Sequence, residues 1–327
     1  MTRKNLIIIH RGKEYETDFL EIAAKVFALD ENITTFCLDC RARQQIPEPE
    51  WRYPTLVVSL NSVYNLQVKR GHVLKNHAID KLEQARRAQA GGATAPPLAR
   101  FVFGMNLDPI AFGTHVILKP MSINSSGDGV HLFRRARAEM LRPGDFPPHH
   151  PIHHDPDGYL VQRFIDTGIH PGWNRVLTFL GEPIYETYGQ LLTERPPLDA
   201  PDDVLANAIV AIQGSVRQRN WRVQEDVLAE ARKIGAAFHD APLLAVDFMR
   251  DQKTGRLYFL ECNPGGNTWH FSSDQGGGIN LRMELGQAHI HGEARAHVLG
   301  RKRMIEQFGA WDICARALVR KVHELAC

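Results

Sequence analysis

Residues 243–266, LLAVDFMRDQKTGRLYFLECNPGG, constrain this chain more than any other stretch. Two runs of apolar strand formers flank the polar turn RDQKTG, which reads as a β-hairpin too hydrophobic to lie outside a core. Each strand nevertheless carries a carboxylate, Asp247 in the first and Glu261 near the end of the second, followed by Asn263. A turn that closes symmetrically sets Asp247 opposite Glu261, and strict alternation puts Leu257, Phe259, Glu261 and Asn263 on one face. Carboxylates opposed across a strand pair repel, and a cation between them removes the objection. Two readings stand side by side. A hard divalent ion is held by Asp247, Glu261 and Asn263 with waters and phosphates, as magnesium usually is; alternatively, Asp247 lies at a solvated edge and Glu261 at an exposed strand end.

The bulk numbers exclude several classes. With 327 residues, 43% hydrophobic and 23% charged, the chain is an ordinary globular protein with room for roughly two or three domains. A balance of 39 basic against 37 acidic residues gives no general attraction for nucleic acid or acidic membranes. The local runs Arg301-Lys302-Arg303 and Arg217 to Arg222 read as solvated faces. The apolar run Leu6 to Ile9 is far too short for a signal or a span, so the cytoplasm is the expected compartment. Five cysteines do not make a disulfide framework, and Cys37 and Cys40, a C-x-x-C without a second pair, read as reduced thiols.

Along the chain, NLIIIH followed by FLEIAAKVFAL reads as strand then helix, and TLVVSL at 55–60 as a second buried strand, giving a small Rossmann-like α/β domain over residues 1–72. Residues 73–163 form a second unit. It opens on the helix NHAIDKLEQARRAQAGG, with Ile79, Leu82, Ala85 and Ala88 near one face, and continues in the strands HVILKP, GVHLFRR and GYLVQRFI. Residues 164–327 hold the hairpin NRVLTFL-GEP-IYETYG, a helix at 224–237 with Val227, Leu228, Ala231, Ile234 and Gly235, the carboxylate hairpin, and an amphipathic closing helix WDICARALVRKVHEL. RPGDFPPHHPIHHDPDG at 142–158 reads as a mobile solvent loop by its Pro, Gly and Asp; its four histidines, His149 to His154, are the alternative as metal ligands, although their spacing fits no helix or strand face.

Between two of these strands the loop MSINSSGDGV brings Gly127 and Gly129, whose backbone turns tightly and presents N–H groups, next to Lys119, a charge suited to phosphate. Ordinary hairpin loops have the same composition. Lys81, on the predicted helix, reads alone as a solvated lysine.

Taken together, NHAIDKLEQARRAQAGGATAPP, VILKPMSINSSGDGV, YLVQRFIDTG, NRVLTFLGEPIYE and LLAVDFMRDQKTGRLYFLECNPGG resemble, in order and approximate spacing over residues 75–275, the ATP-grasp superfamily. The likeness is to its carboxylate-amine ligases, of the glutathione synthetase, ribosomal-protein glutamate ligase and D-alanine–D-alanine ligase type. The resemblance implies an ATP-grasp fold of two α+β lobes clasping ATP, preceded by the small N-terminal α/β domain. It also implies ATP and Mg2+, or Mn2+, as cofactors. On that pattern Lys81 and Lys119 contact phosphates, the Gly127 to Gly129 loop is the flap, and the backbone of Gln162, Arg163 and Phe164 meets adenine. Asp166 is the weaker match for the ribose residue, Arg175 reaches the transferred phosphate or the substrate carboxylate, and Asp247, Glu261 and Asn263 hold the metal. Arg163 stands where the family often has glutamate, and Asn174 where an aspartate often precedes the arginine.

Such an enzyme activates a carboxylate as an acyl phosphate and joins it to an amine of an amino-acid or peptide-type substrate. Arg217, Asn267, Trp269, Ser272 and Asp274 are candidates for substrate contact, with surface loops as the alternative. A kinase on the same fold and a non-catalytic ATP-binding protein are the competing functions. No nucleic-acid or membrane partner is expected, and a homodimer is an option because the family often dimerises.

Overall fold

The computed structural model describes residues 3–11, 13–41, 46, 48–61, 68–121, 129–210, 217–265 and 307–327. The described residues are α/β and build three sheets. The first is wholly parallel, in the order β2-β1-β3-β4, from β1 (Lys4–His10), β2 (Ile33–Asp39), β3 (Thr55–Ser59) and β4 (Gly71–Lys75), with α1 (Lys13–Leu29) crossing from β1 to β2. Its inner strands are apolar on both faces, as a covered parallel sheet requires: Leu6, Ile8, Leu56 and Val58 pack one way, Ile7, Ile9 and Val57 the other. β4 straddles the boundary expected at residue 72.

α2 (Lys81–Ala90) begins where the Asp80 side chain accepts from the amides of Leu82 and Glu83. The buried face differs from the expected one. Lys81, Gln84 and Ala88 are buried, while Leu82 and Ala85 are only partly so, because this face meets a strand edge whose backbone needs polar partners.

A second, antiparallel sheet runs β5-β8-β6-β7, from β5 (Leu98–Arg100), β6 (His115–Pro120), β7 (His131–Arg134) and β8 (Tyr159–Arg163); α3 (Pro109–Phe112) and α4 (Arg135–Glu139) flank it. The third, also antiparallel, runs β11-β10-β9-β12-β13, from β9 (Gly172–Phe179), β10 (Glu182–Leu191), β11 (Arg217–Trp221), β12 (Leu243–Arg250) and β13 (Leu257–Pro264). Between β10 and β11 lies α5 (Asp202–Ala206), and between β11 and β12 lies α6 (Glu225–Ala237), which buries the five predicted residues Val227, Leu228, Ala231, Ile234 and Gly235. α6 comes so close to the Leu180-Gly181 turn that a Cβ on Gly235 would sit 2.5 Å from the Gly181 carbonyl oxygen.

The two faces of this third sheet go to different cores. Val176, Leu244, Val246, Phe248, Phe259 and Cys262 pack with α6 and Ala88 of α2. Leu177, Phe179, Leu243 and Ala245 pack with the parallel sheet and the closing helix, Ala310–Leu325, whose Ala310, Cys314, Leu318 and Val322 face inward. Asn76, just after β4, fastens the two sheets together: its amide nitrogen donates to the Leu60 carbonyl at 3.0 Å and its oxygen accepts from the Leu243 amide at 3.3 Å.

The carboxylate hairpin forms, and Asp247 does pair with Glu261, but not through a symmetric turn. Nearer the turn Arg250, Met249 and Phe248 pair with Leu257, Tyr258 and Phe259, one residue off that register, and Leu260 is the extra residue of a β-bulge that restores it. The bulge also breaks the expected alternation. Phe259 and Cys262 share the α6 core, while Glu261 and Asn263 take the opposite face.

The His149–His154 segment lies at the surface, with His149, His153 and His154 exposed as a solvent loop would have them, but it is anchored inward. Phe146, His150 and Ile152 are buried against Tyr159 and Phe133 in the core of the second sheet. The Ile152 amide donates to His150 Nδ1, which leaves His150 Nε2 to donate to His131 Nε2 at 3.0 Å, and His131 Nδ1 to donate to the Ala206 carbonyl at 2.9 Å. One added proton puts two N–H groups face to face. Among the described residues no group of three or more His, Cys, Asp or Glu is placed to hold a metal, and no helix is long and apolar enough to cross a membrane.

Burial, with His131 next, brings the His150 pKa down to about 4. The unfolded chain therefore takes up a proton at this residue first, as pH falls below the ordinary 6.5, and stability is lost between that value and about 4. Urea titrations across this window are expected to show up to about 1.4 kcal/mol per pH unit of acid sensitivity that a His150→Phe variant lacks.

Candidate active site

Four neighbouring strands bring one row of side chains together. Thr187 on β10 lies directly across from Arg175 on β9, Arg175 from Asp247 on β12, and Asp247 from Glu261 on β13. Directly opposed residues share a face, and this one is the face that carries Leu177 and Ala245, continued beyond the apolar core into charge. Arg175 clamps Asp247 with two parallel bonds, Nε to Oδ1 at 2.7 Å and Nη2 to Oδ2 at 2.6 Å. Asp247 is only 4% exposed. Burial works against the Arg175 charge, yet Asp247 overrides it and raises the guanidinium above its ordinary pKa, with Tyr185 and Glu261 adding to the effect.

Lys81 closes the row from the side. At the first position of α2, it places Nζ 3.5 Å from Glu261 Oε2 and donates to the Pro120 carbonyl at 3.1 Å, so it ties α2, β6 and β13 together. Lys119, buried next to Pro120, has its pKa brought down to about 8 by burial; Glu261 supports its charge and Lys81 opposes it. Three cationic side chains thus surround two carboxylates. The cluster has an excess of positive charge fit for a polyanion.

Asn263 continues the Glu261 face one strand pair further, opposite the small Ala245. Asp247, Glu261 and Asn263 together form an all-oxygen donor set on one face of adjacent strands, the chemistry of a magnesium site and not of a zinc site. These residues fit a hard divalent ion, although Arg175 and Lys81 hold the two carboxylates here.

Other predicted residues take other places. Gly129, at φ +70°, packs so that a Cβ would sit 2.9 Å from Tyr159 Oη and 3.3 Å from Pro120, close to Lys119; Gly127 lies outside the described residues. Gln162 is buried in β8, and the amides of Arg163 and Phe164 are engaged by the carbonyls of Pro97 and His115. Val116 pairs with Arg163 and Lys119 with Leu160, so this segment lies three residues along β6 from Lys119, about 10 Å away. Asp166 accepts from the Gly168 amide, Arg195 and Gln252, which makes it a latch between the segments after β8, β10 and β12. Asn174 donates to the buried Glu186, on the face opposite Arg175. Arg217 lies on β11 with its side chain outside the described residues, as are Asn267, Trp269, Ser272 and Asp274 entirely. Burial and the nearby Glu16 push the Cys37 thiol up to about 12, and burial with Asp39 also raises Cys40, the reverse of what redox or metal chemistry needs.

No protein-family model and no curated protein matches the chain. Among solved structures it is similar to the D-cycloserine synthetase DcsG, at 17% identity and a TM-score of 0.46 over 92% of this chain and 99% of that one. A D-alanine–D-alanine ligase from Bacillus anthracis shares 13% identity at a TM-score of 0.42, over 93% of this chain and 99% of that one. The ATP-grasp ligase PsnB, complexed with a minimal precursor, shares 12% at 0.45, over 97% and 99%. These are loose likenesses of outline, and the chemistry rests on the residues of the site.

The sequence reading missed Thr187 and Gln84. Gln84 is 2% exposed, and its Oε1 accepts from the Cys262 amide, between Glu261 and Asn263, at 2.9 Å. The only signal was its i, i+3 spacing from Lys81.

Breaking the buried pair on one side strands a charge. Asp247→Asn is expected to lower unfolding free energy by about 3–5 kcal/mol in urea titrations, and Arg175→Met with Asp247→Leu to recover much of that loss.

Proposed function

We propose that the chain is an ATP-dependent, ADP-forming ligase of the ATP-grasp type, which activates a carboxylate as an acyl phosphate and joins it to an amine of an amino-acid or peptide-type substrate. The observation that carries this reading is the row Arg175, Asp247, Glu261 with Lys81 and Lys119 at its side: cations for phosphate and an oxygen set for magnesium on one face. The two lobes clasping ATP would be the second and third sheets, which Lys81 joins through Pro120 and Glu261.

A carboxylate resists amines because its oxygen is a poor leaving group and its charge repels nucleophiles. Attack of a carboxylate oxygen on the γ-phosphorus of ATP expels ADP and makes an acyl phosphate; attack of the amine on the acyl carbon then expels phosphate, the amine losing a proton. Lys119 and Lys81 balance phosphate charge, and the Arg175 guanidinium, held in place by Asp247, adds positive charge toward the phosphoryl group in flight. Asp247, Glu261 and Asn263 would hold the magnesium ion, which neutralises phosphate oxygens when bound. Burial of Asp247, Lys81 and Lys119 keeps water from the intermediate.

Incubation with ATP, magnesium and pools of carboxylates and amines is expected to release ADP and phosphate together with an amide. Phosphate retained on the acceptor would instead identify a kinase, and nucleotide binding without turnover in any pool a non-catalytic protein. Glu261→Gln is expected to abolish turnover with the fold intact by circular dichroism, and an active variant contradicts the metal assignment.

A further inference from the structure

Of the three residues that α2 buries, Lys81 and Ala88 have evident uses, an ion pair and a core contact, but Gln84 is a polar side chain spent on the backbone. Its nitrogen donates to the Ile79 carbonyl at 2.8 Å, just before the helix, and its oxygen accepts from Cys262 N–H at 2.9 Å. The second bond is a rung on the outer edge of β13, the edge strand of the third sheet. Another such rung runs from the Phe259 amide to the Thr94 carbonyl at 2.7 Å, and the Leu260 bulge lies between the two.

We propose that Gln84 is a positioning residue that fixes the ammonium of Lys81 against Glu261 by pinning α2 to β13 between the two oxygen donors Glu261 and Asn263. The inference rests on the nucleotide-site reading and adds a residue to it. Cys262 N–H belongs to the peptide that joins Glu261 to Cys262, so a bond to it sets the height of that peptide relative to α2. Lys81 stands one turn before Gln84 on the same face, and the Asp80 cap fixes where that turn begins. The bond to Ile79 holds the Gln84 side chain against the start of its own helix, and the bond from Cys262 ties that helix to β13 at one height. The 3.5 Å contact between Lys81 and Glu261 is therefore held at its root as well as at its tip. Edge cover alone would not need this: any residue presenting an acceptor toward residue 262 would serve, wherever Lys81 stood.

Isothermal titration of the full-length protein with ATP in the presence of magnesium tests this in a double-mutant cycle of Gln84→Met and Lys81→Ala. Each single variant is expected to weaken binding by about fivefold or more, and the double variant to bind no more weakly than Lys81→Ala alone. Gln84→Asn keeps both polar groups and shortens the reach by about 1.5 Å; it serves if Gln84→Met unfolds, and it too is expected to weaken binding only while Lys81 is present. Wild-type affinity in Gln84→Met or Gln84→Asn, or losses that multiply independently in the double variant, overturns the role of Gln84 alone. A wild-type chain that binds no ATP overturns the site reading and this inference with it.

Discussion

The ion pair between Arg175 and Asp247 organises the molecule around it. A guanidinium and a carboxylate removed from water each lose several kcal/mol of hydration, and neither side chain could stay at the middle of a sheet without the other. Their strands must therefore be neighbours, in register, with both side chains on one face, and the order β10-β9-β12-β13 satisfies that. Glu261, next in the row, is a second, half-buried negative charge; Lys81 answers it from α2, which brings the helix and the second sheet to the edge of the third.

Apolar packing decides where this row lies. One face of the third sheet is closed by α6, and the other, over its first half, by the parallel sheet and the closing helix. Beyond that cover the same face carries Arg175, Asp247, Glu261 and Asn263. Asn76 sets the junction, and Gly265, at φ +60°, continues it: a Cβ there would come within 2.3 Å of the Leu60 carbonyl oxygen, so the chain leaving β13 runs hard against the end of β3. The charged cluster thus begins where the core between two sheets ends.

Much of this was legible in the residues. The apolar runs at 4–10, 55–59 and 243–249 are strands, the 3.6-residue pattern at 225–237 is a helix with the inward face expected, and Asp247 stands opposite Glu261. That pairing followed from a symmetric turn that the chain does not make; the Leu260 bulge supplies it, and a bulge leaves no periodic signature because it is one unpaired residue. The buried face of α2 and the inward anchor of the otherwise exposed 142–158 segment escaped the sequence reading for a shared reason. Gln84 and His150 are polar, yet each finds partners for its polar atoms inside the protein, and a pattern of hydrophobicity cannot register a partner far away in sequence.

By itself the sequence determined which residues could do chemistry and which segments are strands and helices, because both depend on side-chain type and local periodicity. Tertiary structure alone decided how these meet. Arg175 and Asp247 are 72 residues apart in the chain and share a bidentate bond; Lys81 reaches a carboxylate brought by another sheet; and Gln84, 178 residues from Cys262, completes the edge between them. Such contacts follow from strand register and helix placement, which are set by packing and by the need to neutralise buried charge, and no local stretch of residues encodes them.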